Sequence, residues 1–333
     1  MPKDRSIGTK RDSLEKSETR QHWIPKFYQR RFIADGSGLI WVYGLDCEPR
    51  HKPIRKTGMA IDFYAFTKNE VRDSQSVENA LQKIDCMGAR IIRKIDRREQ
   101  LTDKERYNLS EFISVMWRRT AKHKEEAERR AAAMMPDFFE QHDENWLISQ
   151  LEKREVTAGE GPVPFEEQLA KLAKIKSEYM EHVPDFLFAR NVVRNSVFER
   201  VLYLMDWGIF VASDSQEFIT SDNPVVFNKG TGLKHEDAVV FFPLSRKLCL
   251  QGMWKSNYRG AYVQRPDSEI RLINRYIAQN ADQEVYVSYK SRVLAEFVNK
   301  WIDTFESPNK HIQQHGRPRK KKKIPTLSLM TAV

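Results

Sequence analysis

The chain has 333 residues, 40% of them hydrophobic and 31% charged, with a formal net charge of +10. That balance supplies a substantial core and excludes fibrous and wholly disordered classes. No apolar run approaches the roughly 20 residues of a membrane span, and the leader MPKDRSIGTKRDSLEKSETR has no signal-peptide core, so no membrane partner is expected and the expected compartment is the cytoplasm. Three cysteines, Cys47, Cys86 and Cys249, are too widely spaced for a zinc knuckle or a disulfide framework.

Residues 1–20 are charged and without apolar periodicity, which predicts a disordered leader. Order begins near Gln21 with QHWIPKFYQRRF, where aromatic and aliphatic side chains crowd a lone histidine, His22. The runs GLIWVYGLD (38–46) and IDFYAF (61–66) read as strands, separated by a loop holding Arg50, His51, Lys52, Arg55 and Lys56. From about 74 to 206 the period changes to that of helices. Val77, Leu81, Ile84, Met87, Ile91 and Ile95 make one apolar stripe. Thr102 and Glu105 form a capping box ahead of a second helix, which is expected to run on into KHKEEAERR. A last helix of this block is expected from Pro184 through Leu204. Beyond Trp207 short strand-like runs return (WGIFVAS, EFITSD, PVVF, AVVFFPLS, KLCLQG, EVYVSY), with a helix at 267–281 and another ending near Phe305.

Strands on both sides of a helical block predict an α+β fold: one mixed sheet built from N-terminal and C-terminal strands, with a large central helical insertion, in a single discontinuous domain over 21–306. Residues 307–333 carry seven basic side chains and no acid, and residues 1–20 a net +2, so the body is nearly neutral. The run Lys320, Lys321, Lys322 and Lys323 in that basic flexible tail is suited to weak, sequence-blind contact with nucleic acid or another polyanion, and equally to solubility alone.

No P-loop, dinucleotide fingerprint, zincin helix, nucleophile elbow or EF-hand loop occurs. The densest polar cluster is Thr220, Ser221, Asp222 and Asn223, closed by Pro224 between two apolar runs. Its plain structural reading is a hairpin turn. Its functional reading gathers hydroxyl, carboxylate and amide at a strand end, with Asp222 as base, metal ligand or histidine-orienting acceptor. Arg118 and Arg119 follow an apolar helical face beside Trp117, and either can clamp an anion or pair with a helix acid. Glu78 and Asp85 lie two turns apart on one helix, and paired carboxylates can hold a divalent ion, which leaves a metal cofactor open.

The elements QHWIPKFYQRRF, WVY, VENALQKID, FITSDNPVVF and FFPLSRKLCL, in this order, resemble the mainly bacterial family known as domain of unknown function 4238, over about residues 21–290. The resemblance marks His22, Pro25, Phe27, Tyr28 and Phe32, then Ser221, Asp222, Asn223 and Pro224, and this chain has Asp85 where the family pattern has a second glutamate. The family name implies no activity, but it pairs two segments about 200 residues apart. The expectation is a site in which His22 and Asp222 are catalytic, Ser221 and Asn223 support them, and Arg118 binds the anion. Such a site suits metal-assisted or acid–base hydrolysis of a phosphodiester in nucleic acid or a nucleotide. The alternative is a non-catalytic module that binds nucleic acid or protein.

Overall fold

The computed structural model describes residues 19–68, 71–141, 149, 184–194, 196–227 and 232–304. The leader up to residue 18, most of the insertion between 142 and 183, and the tail with Lys320 to Lys323 lie outside the described residues.

The N-terminal anchor forms as its composition demands. Strand β1 (Arg20–His22) is followed by the short helix α1 (Lys26–Gln29), which enters directly after Pro25 and tightens into a 3-10 turn at Arg30–Phe32. Ile24, Tyr28 and Phe32 are fully buried, so this segment pins the start of the fold. Next come β2 (Leu39–Tyr43), β3 (Arg50–Pro53) and β4 (Met59–Ile61). The aromatic run 61–66 is not the strand its composition predicts. Ile61 ends β4 and Asp62 adopts φ 51°, and this turn carries Phe63 and Tyr64 into the core instead of along a ladder. A two-stranded ribbon, β5 (Phe66–Lys68) with β6 (Val71–Asp73), leads into the helices.

Helix α2 (Ser76–Asp96) buries Val77, Leu81, Ile84, Ile91, Ile92 and Ile95, each contributing on the order of 2 kcal/mol by leaving water. Its closest approach to α3 (Asp103–Arg118) is at Gly88, where an added Cβ would stand 2.6 Å from the Phe112 ring. The capping box is present: Glu105 N donates to Thr102 Oγ1 at 3.2 Å and Thr102 N to Glu105 Oε2 at 2.9 Å. The helix does not continue into KHKEEAERR. It stops at Arg119, and Thr120 Oγ1 accepts the His123 N–H at 3.4 Å at the start of α4 (Ala121–Gln141). The expected helix from Pro184 is likewise two, α5 (184–193) and α6 (Val197–Leu204).

The remaining strands are β7 (Asp206–Val211), β8 (Thr220–Ser221), β9 (Val226–Phe227), β10 (Val239–Pro243), β11 (Leu248–Met253) and β12 (Tyr262–Gln264). Helix α7 (Asp267–Asn280), strand β13 (Val285–Val287) and helix α8 (Arg292–Trp301) complete the described chain.

The class is α+β, but the expectation of one mixed sheet is corrected. Four strands in the order β3-β2-β13-β8 join the two ends of the chain, as expected. A second sheet, β12-β7-β11-β10-β9, is drawn from the C-terminal half alone and is antiparallel except for β12 beside β7. The physical cause is the T-S-D-N-P segment. Asp222 and Asn223 bend and hold residues 280–284, and Pro224 has no N–H to give a ladder, so β8 ends after two residues and the chain crosses to β9 in the other sheet. One face of the five-stranded sheet, through Trp207, Ile209, Val240, Phe242 and Leu250, packs in one core with α2, α3 and α6. Its other face, through Phe210, Val226 and Cys249, packs against Ile270, Ile273 and Ile277 of α7 and Val298 of α8.

Candidate functional site

Asp222 is buried at the crossover, and both of its oxygens are engaged. Oδ1 accepts the Asp282 N–H at 2.8 Å, and Oδ2 accepts those of Gln283 at 2.7 Å and Glu284 at 2.9 Å. Burial pushes its carboxyl up to about 7, while the N–H donors of Asp282, Gln283 and Glu284 pull it down. Asn223 Nδ2 donates to Asn280 O at 3.0 Å, and Asn280 Nδ2 returns a bond to Asn223 O at 2.8 Å. Ser221 Oγ accepts the Asn223 N–H at 3.2 Å. Asp222 and Asn223 thus clamp the end of α7 and the entry to β13, while Ser221 braces the turn itself.

Arg118 is also committed to structure. Its Nη1 donates to the carbonyls of Asn191 and Arg194 at the end of α5, its Nε to Ser114 O at 3.3 Å, and its Nη2 lies 4.0 Å from Glu199 Oε2. Burial lowers its pKa to about 10. Among the described residues no hydrogen bond or ion pair joins His22, Asp222 and Arg118: Asp222 bonds residues 282–284 and Arg118 the end of α5.

His22 stands elsewhere, among groups of another kind. Arg119, the residue after α3, is fully buried, with Nη1 3.0 Å from Asp85 Oδ1 and Nη2 2.7 Å from Met116 Sδ. Its guanidinium carbon lies 6.0 Å from the centroid of the Phe112 ring. The Arg119 charge acts on His22, Tyr64, Glu78 and Asp85, and the Lys26 charge acts on His22 and Glu78. These residues come from β1, the turn after β4, and helices α1, α2 and α3. Glu78 and Asp85 share a face of α2, as their spacing requires.

The electrostatics of this cluster are unusual for a surface rim. Burial, then Lys26 and Arg119, bring the His22 pKa down to about 4 against the pull of the Arg55 and Ile54 carbonyls, so the imidazole is neutral at pH 7. Burial holds the Glu78 carboxyl above its ordinary range, with Asp85 adding to the rise and Arg119 and Lys26 opposing it. Burial raises Asp85 too, against Arg119. Nine buried side-chain polar atoms among the described residues lack a hydrogen-bond partner in the protein; four are His22 Nε2, Glu78 Oε2, Asp85 Oδ1 and Arg119 Nε, of which Asp85 Oδ1 is nonetheless ion-paired with Arg119 Nη1 at 3.0 Å. Most buried polar atoms are paired, so unpaired atoms on three groups that share the Arg119 charge mark a candidate site.

Sequence reasoning did not single out Lys26 and Tyr64, and it chose Arg118 where the arginine whose charge reaches His22, Glu78 and Asp85 is Arg119. The stripe Phe112, Met116, Arg119 steps by four and three and therefore puts Arg119, not Arg118, on the face of α3 that meets α2. Lys26 follows His22 by four residues with a proline between them, so no periodic pattern joins the two. Among the described residues no group of three or more His, Cys, Asp or Glu converges as a metal site, and no helix is long and apolar enough to cross a membrane.

No curated protein and no solved structure matches the chain. A family model does, over residues 20–291, with both the His22 cluster and the T-S-D-N-P crossover inside the match; the chain belongs to the family described as "Protein of unknown function (DUF4238)".

Proposed function

We propose that this chain is a cytoplasmic acid–base hydrolase of phosphodiesters in nucleic acid or nucleotides, with its reacting groups in the His22, Glu78, Asp85 and Arg119 cluster instead of at Asp222. The observation that carries the reading is that His22 Nε2, Glu78 Oε2 and Arg119 Nε are buried without a hydrogen-bond partner, on groups that share the Arg119 charge with the Asp85 ion pair. Two titratable groups whose surroundings move them in opposite directions make an acid and base pair. His22 accepts a proton from water as its oxygen bonds to phosphorus. Glu78, held toward its protonated form, gives a proton to the ester oxygen as the P–O bond breaks.

The anionic substrate class follows from the cations. Lys26 is exposed and Arg119 buried, and both lower the His22 pKa. An entering phosphate offsets both charges and so raises the imidazole toward the pH at which a base works best. Arg119 positions Asp85 and adds positive charge without itself reaching solvent. Glu78 and Asp85 are the residues that would hold a divalent ion, if one is used.

A screen of single-stranded and duplex DNA, RNA and dinucleotides, with and without Mg²⁺ or Mn²⁺, tests this on wild type, His22→Asn and Glu78→Gln. Turnover by wild type and its loss in both variants supports the assignment. Turnover by none favours the second reading, a non-catalytic module for nucleic acid or protein, for which the lysine run 320–323 is the specific observation.

A further inference from the structure

On the flank of α2 away from Glu78 and Asp85, the helical hairpin of α2 and α3 opens a cleft of about 270 Å³. At 100° per residue, Arg90 stands about 140° around the helix from Asp85, so the cleft and the His22 cluster are separate places. Its walls carry Arg90, Arg93, Lys94 and Arg97 from α2, facing Glu105 and Asn108 of α3, over a floor that includes Met87 and Ile91.

Four cations thus face one carboxylate, and that carboxylate is already taken: Lys94 Nζ donates to both Glu105 oxygens, at 2.8 and 2.9 Å. Arg97 reaches Glu99 at 3.5 Å, outside the cleft. Arg90 and Arg93 are exposed, and no ion pair to either occurs among the described residues. Cations in the last turn of a helix answer its dipole, but that effect fades within one turn. Arg90 stands six residues before the end of α2 at Asp96, beyond its reach. Arg90, Arg93 and Arg97 also advance along one side of the helix, spanning about 10 Å at 1.5 Å per residue. That is about three of the 3.4 Å phosphate steps of one strand in B-form DNA, and an extended single strand spaces its phosphates more widely.

We propose that this cleft binds the phosphate backbone of single-stranded nucleic acid. The cations take successive phosphates, the Asn108 amide offers a donor and an acceptor to a base edge, and Met87 with Ile91 receives the apolar face of a base or sugar. The cleft has room for about one base beside the row of cations, which an unpaired strand can offer and a duplex, with its bases stacked inside, does not. The inference does not depend on the hydrolytic reading.

The test is fluorescence anisotropy of a labelled single-stranded oligonucleotide against the full-length protein. All arms carry Lys320, Lys321, Lys322 and Lys323 replaced by serine, so that the tail cannot supply the affinity. Arg90→Ser/Arg93→Ser is expected to weaken binding tenfold or more and to reduce the slope of log affinity against log salt by about 1.4, the value for two lost phosphate contacts on a single strand. Asn108→Asp, which leaves every cation in place, is expected to weaken binding by a similar factor, and a duplex of equal length should bind at least tenfold more weakly than the single strand. Both arginines are exposed, so melting temperatures should match the parent. Unchanged affinity in the double variant, no binding once the tail is neutral, or equal affinity for the duplex would each overturn the proposal.

Discussion

The hydroxyl of Tyr28 lies 2.8 Å from Thr220 Oγ1 and donates to the Pro243 carbonyl at 2.7 Å, so with its single proton on Pro243 it accepts from Thr220. Thr220 belongs to the four-stranded sheet and Pro243 to the five-stranded one. One buried phenol therefore ties the N-terminal anchor to both sheets beside the crossover. The two segments about 200 residues apart are thus joined through Tyr28, six residues after His22.

Tyr28→Phe leaves a buried carbonyl and a buried hydroxyl without their partner. The expected loss is about 1–3 kcal/mol of unfolding free energy by urea titration. Thr220→Val in the same background should add less than it removes from the wild type, because the two changes break one shared bond.

The buried ion pair predicts an asymmetry. Asp85→Ala strands the fully buried Arg119 and should destabilise by about 3–5 kcal/mol, whereas Asp85→Ala with Arg119→Met should recover part of that loss. A double variant no more stable than the single would show that the guanidinium finds other partners in the core.

His22 gives a pH signature. Its folded pKa, about 4, is below the unfolded value of 6.5, so between those values the unfolded chain binds more protons than the native one. Stability from keeping the imidazole neutral is therefore full above pH 6.5 and is lost as pH falls toward 4. Melting temperatures from pH 7 to 4 should fall less steeply for His22→Gln than for wild type. Parallel curves would show that His22 is solvated.

Much of the fold was legible because its signals are local. The stripe of α2, the Thr102–Glu105 box and the runs at Leu39–Tyr43 and Val239–Pro243 each state their own period. The number of sheets was not, since it depends on whether β8 and β9 share a ladder, and that is decided by Asp222 and Asn223 holding residues 280–284. Likewise Phe63 and Tyr64 have strand-forming side chains, but the Asp62 turn sends them inward. At the candidate site, His22, Glu78 and Asp85 could be singled out one by one from residue type and spacing. Their convergence on Arg119 required the close packing of α2 on α3 at Gly88, a contact between residues far apart in the chain.

The most direct measurement of the central claim is phosphodiester turnover by wild type, Glu78→Gln and Asp222→Asn, with melting temperatures recorded for each. The assignment of chemistry to the His22 cluster predicts that Glu78→Gln abolishes turnover with little change in melting temperature, while Asp222→Asn lowers the melting temperature and retains turnover below it. Turnover that survives Glu78→Gln and vanishes in a still-folded Asp222→Asn would contradict it.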